Sequence, residues 1–178
     1  MGGFFYFYSM AKIISVRGFT PKWGEDCFIA ENATLVGQLS MGDYCSVWFN
    51  AVVRADVNEI SVGHHSNIQD GAIIHCTYEK AATYIGNHVT IGHRAIVHGC
   101  TLEDQTMVGM GAIVMDHAVV QSGAMIAAGA VVLENTVVEA NSIYAGVPAK
   151  KIKTIGSENK AMMERIAKNY IKYSQWYK

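Results

Sequence analysis

The chain has 178 residues, with 14 Lys and Arg against 15 Asp and Glu and a formal charge of −1. That length fits one domain, and the near-neutral balance offers no footing for nucleic acid or an anionic membrane surface. Charged residues are only 16% and hydrophobic residues 51%, which excludes disorder and leaves too few charges to coat a lone monomer, so an oligomer is expected.

The opening MGGFFYFYSM reads as an apolar strand or tail packed on the body or on a neighbouring subunit, with Met10 an alternative start. Its apolar run is too short for a signal-peptide core, and no Lys or Arg precedes it. Residues 1–28 form lead-in strands in this reading. No stretch reaches the roughly 18 apolar residues of a membrane span. Cys27, Cys45, Cys76 and Cys100 form no C-x-x-C pair, so reduced thiols and a cytoplasmic location are expected.

From residue 29 a hexapeptide repeat takes over. Its first position reads Ile29, Leu35, Met41, Val47, Val53, Val62, Ile68, Ile74, Ile85, Ile91, Val97, Leu102, Val108, Val114, Val120, Ile126, Val132, Val138 and Tyr144. Seventeen of these nineteen are Ile, Leu or Val, types that supply only 39 of the 178 residues, so the column is not chance. The fifth position is small, as at Ala33, Cys45, Ala51, Ala72, Ala95, Thr101, Ala112 and Thr136. The fourth favours residues that tolerate positive φ, as at Asn32, Asn50, Asp56, Gly71, Gly111 and Asn135. Each hexapeptide is thus a short strand and a corner, and three make a triangular turn of an all-β parallel β-helix prism spanning 29–149. Three breaks interrupt it: three extra residues between Val53 and Val62, five between Ile74 and Ile85, and one missing between Val97 and Leu102. The insertions are expected to bulge as loops, the larger over Thr77 to Tyr84. After Pro148 the repeat stops. Ser157 reads as the N-cap of a C-terminal helix over 157–178 that packs Met162, Met163, Ile166, Tyr170, Ile171 and Tyr173 on the prism. The whole chain, 1–178, reads as a single domain.

The histidines divide by position. His65, His88 and His117 fall at corners, with His64 beside one of them, and corner tolerance alone explains them. His75 and His98 share the second position of consecutive turns and are stacked neighbours able to share a metal. His93 lies on another face, so three prisms packed around a threefold axis would bring it to a neighbour's pair and complete a three-histidine set. Solvated surface histidines are the plainer reading of the bare pattern. Polar company favours the site: Arg54 extends the His75–His98 column, and Asp70 lies under His93, where a carboxylate fixes an imidazole. Gln69 lies beside Asp70. For Arg54 and Asp56 an intersubunit ion pair is the plain role, and for Asp56 a corner role is open as well.

Four runs, VWFNAVVRADV at 47–57, SNIQDGAIIHC at 66–76, IGHRAIVHGC at 91–100 and VGMGAIV at 108–114, resemble the gamma-class carbonic anhydrases. The likeness covers about residues 10–178, including YAGVPAKKI and the final helix. It implies a left-handed prism, a homotrimer, and a metal held by His75, His98 and the His93 of an adjacent subunit, with Zn2+ expected and Fe2+ or Co2+ as alternatives. The implied activity is reversible hydration of CO2 to bicarbonate by a metal-bound hydroxide. Arg54 and Asp56 match an intersubunit pair, and Gln69 and Asp70 match residues around the metal water and its ligands. The chain departs from the family's prototype at Val57, where a glutamate is usual, and at Tyr144, in place of an active-site asparagine. Its short acidic loop leaves only Glu79 to shuttle protons. Competing readings are a hexapeptide acyltransferase using acyl-CoA, a thioesterase on the same metal site, and a scaffold without catalysis.

Overall fold

In a hexapeptide coil every inward side chain has neighbours one turn above and below, so the backbone hydrogen bonds run between turns and the aliphatic column fills the axis. The computed structural model describes residues 11–177 and shows such a parallel β-solenoid. On the first face Ile73–His75, Ile96–His98, Ile113–Val114 and Val131–Val132 pair rung on rung. Thr83–Ile85, Thr101–Leu102, Val119–Val120 and Val137–Val138 build the second. The third is an eight-stranded sheet from Phe28–Ile29 to Lys150–Thr154, whose last strand is antiparallel. All first-position residues except the half-buried Ile29 are buried. Each such side chain contributes about 1.5 to 3 kcal/mol on burial, which is why so narrow a prism holds together.

The corners follow the fourth position at Asn50, His65, His88, His117, Asn135 and Asn141, all with φ between 51° and 59°. Asn32 and Asp56 do not belong to this set. Asp56 lies inside the strand Val52–Val62, so its corner role is withdrawn. That strand also overturns the first expected loop. The three extra residues are absorbed as a register shift against Thr34–Met41, opposite Gly37 at φ +72°, and the strand runs unbroken from the first face onto the second. The second insertion is shorter than expected: a turn closes between Thr77 and Ala81, and Thr83–Ile85 is already strand. In the five-residue repeat the small inward residue is Cys100, 1% exposed, and not Thr101, because losing one residue moves the alternation back by one.

Lys12–Ile14 and Lys22–Trp23 add parallel strands beside Thr34–Met41; the aromatic opening MGGFFYFYSM lies outside the described residues. The C-terminal helix spans Ser157–Ser174 with Gly156, not Ser157, as its N-cap, and a short 3-10 turn, Gln175–Tyr177, follows it. It lies on the third face against Ser46–Val47 and Thr90–Ile91. Met163 and Ala167 are buried there, and Met162, Ile166, Tyr170, Ile171 and Tyr173 are partly buried. Among the described residues no helix is long and apolar enough to cross a membrane.

Candidate metal centre

His75 ends the strand Ile73–His75 and His98 ends Ile96–His98, and the two are register partners on adjacent rungs. Strand alternation turns Ile74 and Val97 inward, to 0% exposure, and so turns both imidazoles outward. Their facing nitrogens, His75 Nδ1 and His98 Nε2, are 3.0 Å apart. Behind each ring stands a carboxylate. Asp56 Oδ1 is 3.0 Å from His75 Nε2, and Asp116 Oδ1 is 2.5 Å from His98 Nδ1. Arg54 donates to Asp56 Oδ2 at 2.6 Å, and Thr77 Oγ1 donates to Asp116 Oδ2 at 2.5 Å.

Burial pushes both carboxyls up, but hydrogen bonds from Arg54 and His75 hold Asp56 below the usual carboxylate range, and those from Thr77 and His98 do the same for Asp116. Both are therefore acceptors at neutral pH. Burial, against a hydrogen bond to Asp56, lowers the pKa of His75 and favours the neutral ring. With acceptors on the outer nitrogens, the ring hydrogens sit on His75 Nε2 and His98 Nδ1, as the hydrogen-bond network requires. Two lone pairs then face each other, and a cation between them, a proton or a metal ion, satisfies both. Two ligands at 2.0 to 2.1 Å around a tetrahedral zinc stand about 3.3 Å apart, so the pair fits such an ion with a small outward movement.

His93 follows the strand Thr90–Ile91 on the third face. Its Nδ1 meets Asp70 Oδ2 at 2.8 Å, as the sequence predicts, and its Nε2 lies 3.5 Å from the Tyr170 hydroxyl of the C-terminal helix. Burial raises the Tyr170 hydroxyl to about 12, so it stays a neutral phenol. Gln69 lines the same groove as His93 and Tyr170, with its Nε2 donating to Asn67 Oδ1 at 3.0 Å. Among the described residues of one chain no three His, Cys, Asp or Glu side chains converge as a metal cage; the chain itself offers the His75–His98 pair and, from a separate face, His93.

Of the other predicted residues, only Asp56 touches the pair. Arg54 and Asp56 pair with each other inside one chain. Glu79 stands at φ 50° in the exposed turn after Thr77. Tyr144 is 7% exposed and belongs to the prism core, so within the chain it is an inward-packed residue and not a neighbour of the histidines. Asp116 and Thr77 were missed: the five-residue repeat makes the turn above His98 17 residues long, as Val97 pairing with Val114 shows, so counting by 18 does not bring Asp116 level with its histidine.

The fold and the outward histidines define a hexapeptide-repeat β-solenoid protein, and solved structures agree. A hexapeptide transferase family protein from Anaplasma phagocytophilum superposes with a TM-score of 0.90 at 38% identity, over 94% of this chain and 98% of that one. An N-acyltransferase from Bacillus cereus solved with coenzyme A shares the fold alone, at 16% identity and a TM-score of 0.60 over 83% of this chain and 90% of that one. No family model matches the chain. Among curated proteins, a probable carbonic anhydrase of Methanocaldococcus jannaschii is 44% identical over 83% of this chain and 92% of its own length. A carbonic anhydrase of Geobacillus kaustophilus is 40% identical over 93% and 91%. The chain belongs to the gamma carbonic anhydrase family. Gamma carbonic anhydrase 2 of Arabidopsis thaliana mitochondria is 39% identical over 92% of this chain, which spans 60% of that relative's length.

Proposed function

We propose that the protein is a zinc-dependent carbonic anhydrase-like lyase that interconverts CO2 and bicarbonate, acting as a homotrimer with each metal held between subunits. The observation that carries this reading is the His75–His98 pair, two nitrogens 3.0 Å apart with a carboxylate fixing each ring from behind. His75 and His98 would hold the ion from one subunit and the partner subunit's His93 would supply the third nitrogen. When bound, zinc lowers the pKa of a water ligand from 15.7 to about 7; the same donors take Fe2+ or Co2+.

The chain's own residues do the rest. Asp56, clamped by Arg54, keeps the proton of His75 on Nε2. Asp70 does the same for Nδ1 of His93, leaving the lone pair on Nε2, the nitrogen 3.5 Å from the Tyr170 hydroxyl. Gln69, held by its hydrogen bond to Asn67, adds a polar group beside His93 and Tyr170 in a largely apolar groove that suits a small uncharged substrate. Glu79, in the exposed turn beside the pair, passes protons to buffer.

The trimer is supported by the outer surface of the first face. Val52, Ile73, Ile96, Ile113 and Val131 form an unbroken aliphatic ladder in register, with Ile73 44% exposed, the kind of patch that marks an interface. The thiols suit a reducing compartment such as the cytoplasm. Burial pushes Cys76 and Cys100 up, the latter to about 12, so neither offers a thiolate for acyl transfer.

Metal quantification on protein purified without chelator, together with a CO2 hydration assay, tests the proposal. About one zinc per subunit with hydration is the expected result. One metal per subunit without hydration moves the activity to another substrate of the same centre, such as a thioester. Absence of metal with binding of acyl-CoA overturns the reading in favour of the transferase.

A further inference from the structure

Three carboxylates stand behind three histidines, and one of them, Asp116, comes from a segment with no other part in the site. It follows the strand Ile113–Val114, one rung above His98. Both of its oxygens are committed, Oδ1 to His98 Nδ1 and Oδ2 to the Thr77 hydroxyl, each at 2.5 Å. Its side chain is 20% exposed. The space it occupies is reserved by backbone: a Cβ on Gly99 would lie 2.4 Å from Asp116 Oδ1 and 2.8 Å from Ala81 Cβ. Gly99 holds φ +55° in the only five-residue repeat, so the missing residue and the glycine together admit the carboxylate beside His98.

The turn after His75 is tied to the same point. Thr77 N donates to Ala81 O at 2.9 Å and Asn58 Nδ2 to Thr77 O at 3.3 Å, which fixes the backbone carrying the hydroxyl. Thr83 Oγ1 donates to the His75 carbonyl at 2.5 Å and accepts from Gly99 N at 2.9 Å, locking the two histidine rungs together. An unrestrained imidazole can carry its hydrogen on either nitrogen. An acceptor fixed on Nδ1 leaves the lone pair on Nε2, the nitrogen that faces His75.

We propose that Asp116 is the positioning residue of His98, fixing its ring and tautomer for ligation, and that the inserted turn serves the centre through Thr77. This rests on the reading of His98 as a metal ligand. Asp116 touches neither metal nor substrate; it acts through the imidazole, as partners of metal-bound histidines do when their loss weakens metal affinity by 10- to 100-fold.

The test uses the full chain, labelled with 15N-histidine and free of metal, and a Zn2+ competition titration against a chromophoric chelator. In the wild type the His98 signals should report hydrogen on Nδ1. Asp116→Ala should move them toward Nε2–H and lower zinc affinity 10- to 100-fold; Asp116→Asn, which keeps an acceptor, should recover part of both. Thr77→Val should keep the tautomer and cost affinity several-fold. A folded Asp116→Ala protein with unchanged His98 signals and zinc affinity within twofold overturns the proposal. Should Asp116→Ala not fold, Asp116→Asn and Thr77→Val decide, and no change in either overturns it equally. If the tautomer responds to Asp116 in a wild type that binds no Zn2+, the metal reading fails while the hold of Asp116 on the ring stands.

Discussion

His65 and His88 stack ring on ring along one corner of the prism, with centroids 4.8 Å apart and planes 7° from parallel. His75 and His98 are equally neighbours on successive rungs, yet they meet edge to face, at 5.0 Å and 63°, with nitrogen aimed at nitrogen. Backbone position makes the difference. The corner residues sit at φ 57° and 55°, and Tyr44 continues their stack 5.1 Å from His65. The other pair stands on extended strand, where the rung above and the strand Val52–Val62 below each deliver a carboxylate. Identical side chains at the same spacing thus become a stacked ladder in one place and a pair of directed donors in the other.

The largest expected contrast is metal binding. His98→Ala should abolish zinc binding in a titration, whereas His88→Asn, which keeps a residue tolerant of the left-handed region, should leave it within about twofold. Equal losses would mean that both pairs serve one site, and the contrast between them would collapse.

Next comes stability, which separates core from corner. Ala72 is fully buried, and Ala72→Trp should cost about 1 to 3 kcal/mol or more through overpacking. Asn135→Gly, at φ 59°, should be nearly neutral because glycine accepts that conformation. Equal denaturant midpoints would show the inward register to be misplaced.

The smallest effect is the pH dependence of the stacked pair. Burial first, and then the charges of His88 and His64, lower the pKa of His65 from its ordinary 6.5. Because the folded value is the lower one, the unfolded chain binds the proton more readily, so stability is lost as pH falls from 6.5 through the folded pKa. His65→Asn should therefore lose less stability than the wild type between pH 7.5 and pH 5 in urea titrations. A steeper loss in the variant would reverse the assigned sign.

The inward column was legible because a period of six survives any detail of the corners, and with it the faces of His75, His93 and His98. The Asp70 contact with His93 followed from the same counting. What escaped was local. Three extra residues read as a loop, but Val52–Val62 pairs along its length on both sides of the register shift, and backbone pairing is worth more than a bulge into solvent. The fourth position of the repeat leaves a corner role open for Asp56, but the strand carries it past one. Cys100 displaced Thr101 because a deletion shifts alternation, which residue type alone does not reveal. Asp116 went unseen for another reason: its role exists only across two rungs, through a carboxylate that Gly99 leaves room for.

In the proposed trimer the metal centre is divided between subunits, with His75 and His98 from one and the partner subunit's His93 from the next. Single variants His93→Ala and His75→Ala should each be inactive and metal-poor, since the first retains only the pair and the second loses it. Unfolded together and reassembled, they should form mixed trimers in which an intact pair meets an intact His93, and zinc content and CO2 hydration should partly return. Mixed trimers confirmed by mass spectrometry with neither zinc nor activity restored would contradict a shared centre.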